Sequence, residues 1–345
     1  MYVNFDFTLL SRLLMKNKTH RIASFLLILI CSLLFTISVP ARDKVVICIH
    51  GMGNKSPKDT IEKWWKLSVL EGIEGTANNQ DFKLKMVYWA DLFYAAPLHN
   101  NGNKVFDKSY NIEPYMPAKP EALKGLEKSW YNTMKSQAIQ RNNKKNKDSV
   151  NKKSKPDFSF AALAASMNDI AFYFNDYQTI KNRQGKQEQA RKIVNNEVKK
   201  MLIENKDKDI LFISHSMGTV IAYGALLELQ KEHPEIKINQ FVTMGSPLGI
   251  PPMRGLLMRA LRLDTLVVPE NILNPWYNLS DQNDKTAFEP AIHYYFTSNS
   301  KSAGITDLLV KNNYINPSGK HNYHKEYGYL RTPELAKIIS KFLCE

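Results

Sequence analysis

The sequence predicts an α/β fold with a mainly parallel central sheet covered by helices on both faces. Short β-branched, apolar runs alternate with longer helical runs from about residue 44 to the C-terminus, the signature of strand–crossover–strand units. The first of these runs, KVVICIH over residues 44–50, has an apolar centre suited to a strand buried on both faces. With 345 residues, 43% of them hydrophobic and 23% charged, the chain can bury a sizeable core, which excludes disorder along its length.

Five further strands are expected, from LKMVYWA (84–90), DILFIS (209–214), QFVTMGS (240–246), PWYNLS (275–280) and ITDLLV (305–310). A helix is expected to begin near Ser56, where Ser56, Pro57 and Asp59 supply an N-cap, a first-turn proline and a capping-box acid ahead of IEKWWKLSVLEG. That helix directs Trp64 and Trp65 to the core. Other helices are expected over 119–138, 159–177, 187–204, 217–231 and 333–343. Residues 92–158, rich in Asn, Lys, Pro and Tyr, interrupt the alternation and are expected to form a lid-like insertion. Within it, Phe93, Tyr94, Tyr110 and Tyr115 are candidates for an acyl-binding or lid surface, with packing as the competing use.

Forty-seven Lys and Arg against 33 Asp and Glu leave a net charge of +14. The excess is uneven. Between Arg141 and Lys155 seven basic residues face the single acid Asp148, a composition without apolar periodicity that reads as a mobile, solvated tract. No aromatic residue interleaves these lysines, which argues against a nucleic-acid partner and leaves an anionic membrane surface as the partner such a tract suits. Upstream, the uncharged stretch Ile22–Ala41 follows the basic residues Lys16, Lys18 and Arg21. Residues 1–41 are therefore expected to be a signal peptide or an N-terminal membrane anchor of an exported chain. The core strand that begins so soon after Ala41 favours cleavage, with residues 42–345 forming the folded domain. Three cysteines cannot build a disulfide scaffold. After cleavage Cys48 and Cys344 remain as one candidate pair, and no Cys/His spacing suggests a metal site.

The strongest chemical signal is Ser214-His215-Ser216-Met217-Gly218, between the strand DILFI and the helical run TVIAYGALLELQ. A serine on such a strand–turn–helix junction presents its hydroxyl at the sheet edge, next to free helix N-terminal amides. Ser216 is thus the candidate nucleophile. His50-Gly51-Met52-Gly53 follows the first strand, and its glycines let backbone amides approach an oxyanion closely. Gly51, Met52 and Met217 are the candidate oxyanion-hole residues. A serine nucleophile of this kind needs a histidine base and a carboxylate orienting it, both at the same sheet edge. Asp281 and Asp284 follow the fifth strand, with Asp307 a weaker alternative. His321 and His324 fall between the last strand and the last helix, whereas the side chain of His215 is expected to point away from its neighbour.

Together these segments resemble the α/β-hydrolase family, and within it bacterial lipase-like and esterase-like serine hydrolases. The matching stretches are IHGMGNKSP, VYWADLFY, SHSMGTVIAY, TMGSPLGIP, WYNLSDQNDKTA and the final histidine with YGYLRTPE, spread over about residues 44–343. The resemblance implies a Ser-His-Asp triad on Ser216, His324 and Asp284, with Asp281 and His321 as the alternatives. It further implies hydrolysis of a small-molecule or lipid ester through an acyl-enzyme, without metal or organic cofactor. An amidase or acyltransferase using the same triad is a second reading, and a catalytically inactive envelope-associated binding protein of the same fold is a third.

Overall fold

A computed structural model describes residues 42–73, 82–98, 113–118, 168–287 and 289–344. The apolar segment 22–41, the tract 141–155, Tyr110, the helix expected over 119–138 and most of the insertion lie outside the described residues. None of the described helices is long and apolar enough to cross a membrane.

Six strands make the central sheet: β1 (Lys44–Ile49), β2 (Lys83–Val87), β3 (Asp209–His215), β4 (Gln240–Met244), β5 (Trp276–Ser280) and β6 (Ile305–Leu309). Their order is β6-β5-β4-β3-β1-β2, with every pairing parallel. The helices are α1 (Lys58–Ile73), α2 (Asn168–Phe174), α3 (Ala190–Ile203), α4 (Met217–Glu232), α5 (Pro251–Leu261), α6 (Glu326–Leu330) and α7 (Pro333–Cys344). All six strands expected from the apolar runs form.

Strand pleat sorts the core into two layers, because successive side chains face opposite sides. On one face Val45, Ile47 and Ile49 of β1 with Ile210 and Phe212 of β3 pack against Val194, Val198 and Leu202 of α3 and the apolar side of α4. On the other, Val46, Cys48, Leu211 and Ile213 meet Ile61, Trp65 and Val69 of α1 and Leu335, Ile339 and Phe342 of α7. This double coverage explains why β1 and β3 are buried almost end to end. Trp65 is fully buried and Trp64 only partly so, stacking on Tyr115 and meeting Tyr327 edge-on. Cys48 and Cys344 are not joined by a disulfide, contrary to the pairing considered from sequence: Cys48 points into the α1/α7 layer from mid-strand, whereas Cys344 is exposed at the end of α7.

Several boundaries differ from expectation. β2 ends at Val87, and Ala90–Leu92 form a short 3-10 turn that redirects Trp89 into the core. Helix α3 begins at Ala190, not 187, because Gln187–Gln189 pair antiparallel with Thr179–Lys181. The Asn182 side chain organises the intervening turn by accepting from the amides of Gln184 and Lys186. Within the expected 159–177 helix the described part runs from Asn168 to Phe174. Helix α5 was not anticipated, and its paired prolines occupy the first helical turn, where a missing N–H costs no hydrogen bond.

If the two-layer core carries the stability, Phe212→Ala should cost about 3–5 kcal/mol, while Tyr177→Ala, at a position 94% exposed, should stay within about 0.5 kcal/mol of wild type. Urea midpoints for the two variants provide the check.

Candidate active site

Parallel pairing places the C-terminal ends of all six strands at one sheet edge, and the candidate residues converge there. Ser216 joins β3 to α4 with φ 53° and ψ −129°, a conformation that costs a non-glycine residue about 1–3 kcal/mol unless its surroundings enforce it. They do. The Ser216 amide donates to the Met244 carbonyl at 3.0 Å, and its carbonyl accepts from both the amide and the hydroxyl of Thr219. A Cβ on Gly218 would lie 2.5 Å from the His50 carbonyl oxygen, and one on Gly51 2.8 Å from the Ser216 Cβ. Only glycine at these two positions lets β1 and its loop close against the turn. Ser214, buried at the position two before Ser216, satisfies its hydroxyl on the Val242 carbonyl.

The Ser216 hydroxyl lies 2.9 Å from His324 Nε2, and His324 Nδ1 lies 2.8 Å from Asp284 Oδ2. A carboxylate can only accept, so Nδ1 carries the proton and Nε2 is free to accept from the serine. Asp284 Oδ2 also accepts from the Tyr329 hydroxyl at 2.7 Å, and Oδ1 from the Thr286 amide at 2.8 Å. Burial pushes this carboxyl up, but hydrogen bonds from His324 and Tyr329 together with the His324 charge outweigh it and hold Asp284 below the ordinary carboxylate range.

The alternatives take other places. Asp281 accepts from the amides of Asn283 and Asn312, tying the loop after β5 to the chain after β6. Burial raises its carboxyl despite these bonds. His321 is exposed and stacks on Tyr323, and Asp307 binds His293 and the Ile292 amide. Of the aromatics proposed for an acyl surface, Phe93 packs on Trp89 and Phe172, Tyr94 bonds to Asp169, and Tyr115 bonds to Ser68.

His215 does not point away. Its ring lies 4.7 Å from that of His324, and its Nε2–H donates to the His324 carbonyl at 2.8 Å. Burial first, then the neighbouring His324 charge, lowers its pKa to about 3, so it stays neutral while holding the backbone of the candidate base. Gly245 directly follows β4 and has φ 55°. A Cβ there would sit 2.8 Å from Asp284 Oδ2 and 3.1 Å from His324 Nδ1, in the space where acid and base meet. Sequence reasoning also passed over Tyr329, whose hydroxyl accepts from the Asp281 amide while donating to Asp284.

The loop His50–Gly53 is pinned group by group. His50 Nδ1–H donates to the Gly51 carbonyl at 2.7 Å, its Nε2 accepts from the Trp89 amide, and the Trp89 indole N–H donates to the His50 carbonyl. Burial, aided by the Lys55 charge, lowers the His50 pKa to about 3, which keeps this tautomer neutral. In a trans peptide C=O and N–H point in opposite directions, so fixing the Gly51 carbonyl aims the Met52 amide away from His50. Met217, in the first turn of α4, contributes a second amide beside Ser216. Lys55 reaches under the loop to the carbonyls of Met52 and Gly53. Burial lowers its pKa to about 8, against the attraction of Glu326 and Asp169. Among the described residues no group of three or more His, Cys, Asp or Glu is placed to hold a metal ion.

A parallel sheet of this order, a strained serine between strand and helix, and a glycine loop from the adjacent strand define the α/β-hydrolase fold. The family described as the PGAP1-like alpha/beta domain matches residues 128–325, a span that includes Ser216, Asp284 and His324. The chain belongs to that family. A comparison with curated proteins returns no match.

Replacing Gly245 with alanine forces a side chain onto a left-handed backbone and into the Asp284–His324 contact, and should destabilise the fold by about 1–3 kcal/mol, measured by urea unfolding. Acid should weaken the protein earlier than its carboxylates alone require. Buried His50 and His215 bind protons in the unfolded chain below about pH 6.5 but resist them in the native state down to about pH 3, so stability falls as pH drops through that window. The depressed carboxyls of Asp284 and Glu326 add a loss of the same sign at lower pH. His215→Gln should flatten the slope between pH 6.5 and 4.5, read from unfolding free energies at each pH.

Proposed function

We propose that this chain is an exported serine hydrolase that cleaves carboxylic esters of lipid or other acyl character through an acyl-enzyme. The observation carrying the proposal is the continuous chain from Ser216 Oγ to His324 Nε2 at 2.9 Å and from His324 Nδ1 to Asp284 Oδ2 at 2.8 Å. His324 takes the Ser216 proton on Nε2 as Oγ attacks the ester carbonyl carbon, and the electron pair of the carbonyl moves to its oxygen. The amides of Met52 and Met217 receive that oxyanion. The imidazolium, stabilised by the ionised Asp284, returns its proton to the departing alkoxide, which leaves as the alcohol. Water, deprotonated by His324, then attacks the acyl-serine, and the imidazolium returns that proton to Ser216 Oγ as the acyl–oxygen bond breaks and the acid leaves. An anionic lipid surface is the partner that the basic Arg141–Lys155 tract suits, through roughly 1 kcal/mol per basic residue held near such a surface.

Labelling of the full chain with a fluorophosphonate provides the test. Wild type should label, Ser216→Ala should not, His324→Ala should label at least about 10³-fold more slowly, and His321→Ala should match wild type within about twofold. Folded wild type that never labels, or Ser216→Ala that still does, defeats the proposal.

A further inference from the structure

Asp169 is a buried carboxylate in the first turn of α2, 4% exposed, and the reaction outlined above gives it no part. Its hydrogen bonds run to distant segments. Oδ2 accepts from the Gly53 amide at 2.6 Å, 116 residues away in the chain, and Oδ1 accepts from the Tyr94 hydroxyl at 2.9 Å, 75 residues away. The Gly53 N–H shares one peptide plane with the Met52 C=O, and that carbonyl accepts from Lys55 Nζ.

We propose that Asp169 is a positioning residue for the oxyanion loop, clamping the Met52–Gly53 peptide against Lys55. The inference rests on the reading of Ser216 as a nucleophile. Because C=O and N–H of a trans peptide point in opposite directions, an ammonium on one end and a carboxylate on the other prevent the plane from rotating. Both contacts are charge-assisted and so stronger than neutral hydrogen bonds. The site needs such a clamp: Gly53 has φ +85°, and glycine turns freely about its backbone. Rotation of the Met52–Gly53 plane turns ψ of Met52 and φ of Gly53 and releases one of the two supports of Met52, loosening the placement of its amide, and oxyanion donors must sit within about 2.7–3.1 Å to act. His50 fixes the preceding peptide through the Gly51 carbonyl, so Asp169 and His50 hold the two planes that flank Met52. Because its Gly53 bond also commits that amide, Gly53 is not an oxyanion donor, and Met52 is left with that task. Tyr94 secures the second carboxylate oxygen and fixes the rotamer that reaches Gly53.

The full chain is compared with Asp169→Ala, Asp169→Asn and Tyr94→Phe in p-nitrophenyl ester hydrolysis, fluorophosphonate labelling and thermal melting. Asp169→Ala should lose about 10- to 100-fold in kcat with KM within about twofold, since transition-state stabilisation suffers and ground-state binding does not. Asp169→Asn keeps an oxygen acceptor for Gly53 but not the charge, and should recover to within about fivefold of wild type. Tyr94→Phe should lose about two- to fivefold in kcat at unchanged KM. A folded Asp169→Ala with wild-type kcat overturns the proposal, as does a loss confined to melting temperature. Should that variant not fold, the other two decide: unchanged kcat in both overturns the proposal, and a fall at constant KM in either upholds it. Wild type that does not label at Ser216 overturns the hydrolase reading instead, and the inference with it.

Discussion

The site depends on the pairing of β1 with β3. Their parallel register sets Ile49 beside Ser214, so the loop leaving β1 and the turn leaving β3 emerge side by side at the same sheet edge. Two glycines make that proximity tolerable, Gly51 against the Ser216 side chain and Gly218 against the carbonyls of Ile49 and His50. Neither strand makes a site by itself. The strain at Ser216 persists because Met244, Thr219 and the β1 loop enclose it, and those contacts exist only once the sheet has formed.

Charge is placed with similar economy. Three histidines crowd this edge, and two are kept neutral by burial, His50 bracing the glycine loop and His215 bracing the His324 backbone. Asp284 stays ionised in a buried setting because hydrogen bonds and the neighbouring imidazole outweigh desolvation. His324, the third, is a third exposed and lies between Ser216 and Asp284, within hydrogen-bond reach of both. Lys55, Asp169 and Glu326 form a second charged group under the loop, with Lys55 and Glu326 acting on His50 and Glu326 on His215.

Local signals made much of this legible. Apolar runs marked β1 and β3 most clearly, because strands covered on both faces need continuous hydrophobicity. The Ser214–Gly218 turn was readable because its small residues and its strand–helix context occur together within five positions. Spacing alone left Asp281 against Asp284 and His321 against His324 open, because each pair sits on one loop and only the folded turn decides which member faces Ser216. The Asp284 side chain is aimed by hydrogen bonds from the Thr286 amide and from a hydroxyl 45 residues later. Asp169 was illegible for the same reason: its partners are Gly53 and Tyr94, and no motif joins three residues so far apart. Gly245 offered a signal that was open to use, a glycine directly after β4 at the sheet edge that holds the Ser214–Gly218 turn. The neighbour of the serine, His215, was misjudged because strand alternation aims it away, whereas the loop carrying His324 folds back over it.

The most direct measurement is the covalent intermediate itself. An ester with a chromogenic leaving group is mixed with the full chain, quenched in acid before deacylation, digested and weighed peptide by peptide. The account predicts a pre-steady-state burst close to one alcohol per chain, with the acyl mass on the peptide containing Ser216. Hydrolysis without a burst or adduct, or an acyl group on another residue, would contradict it.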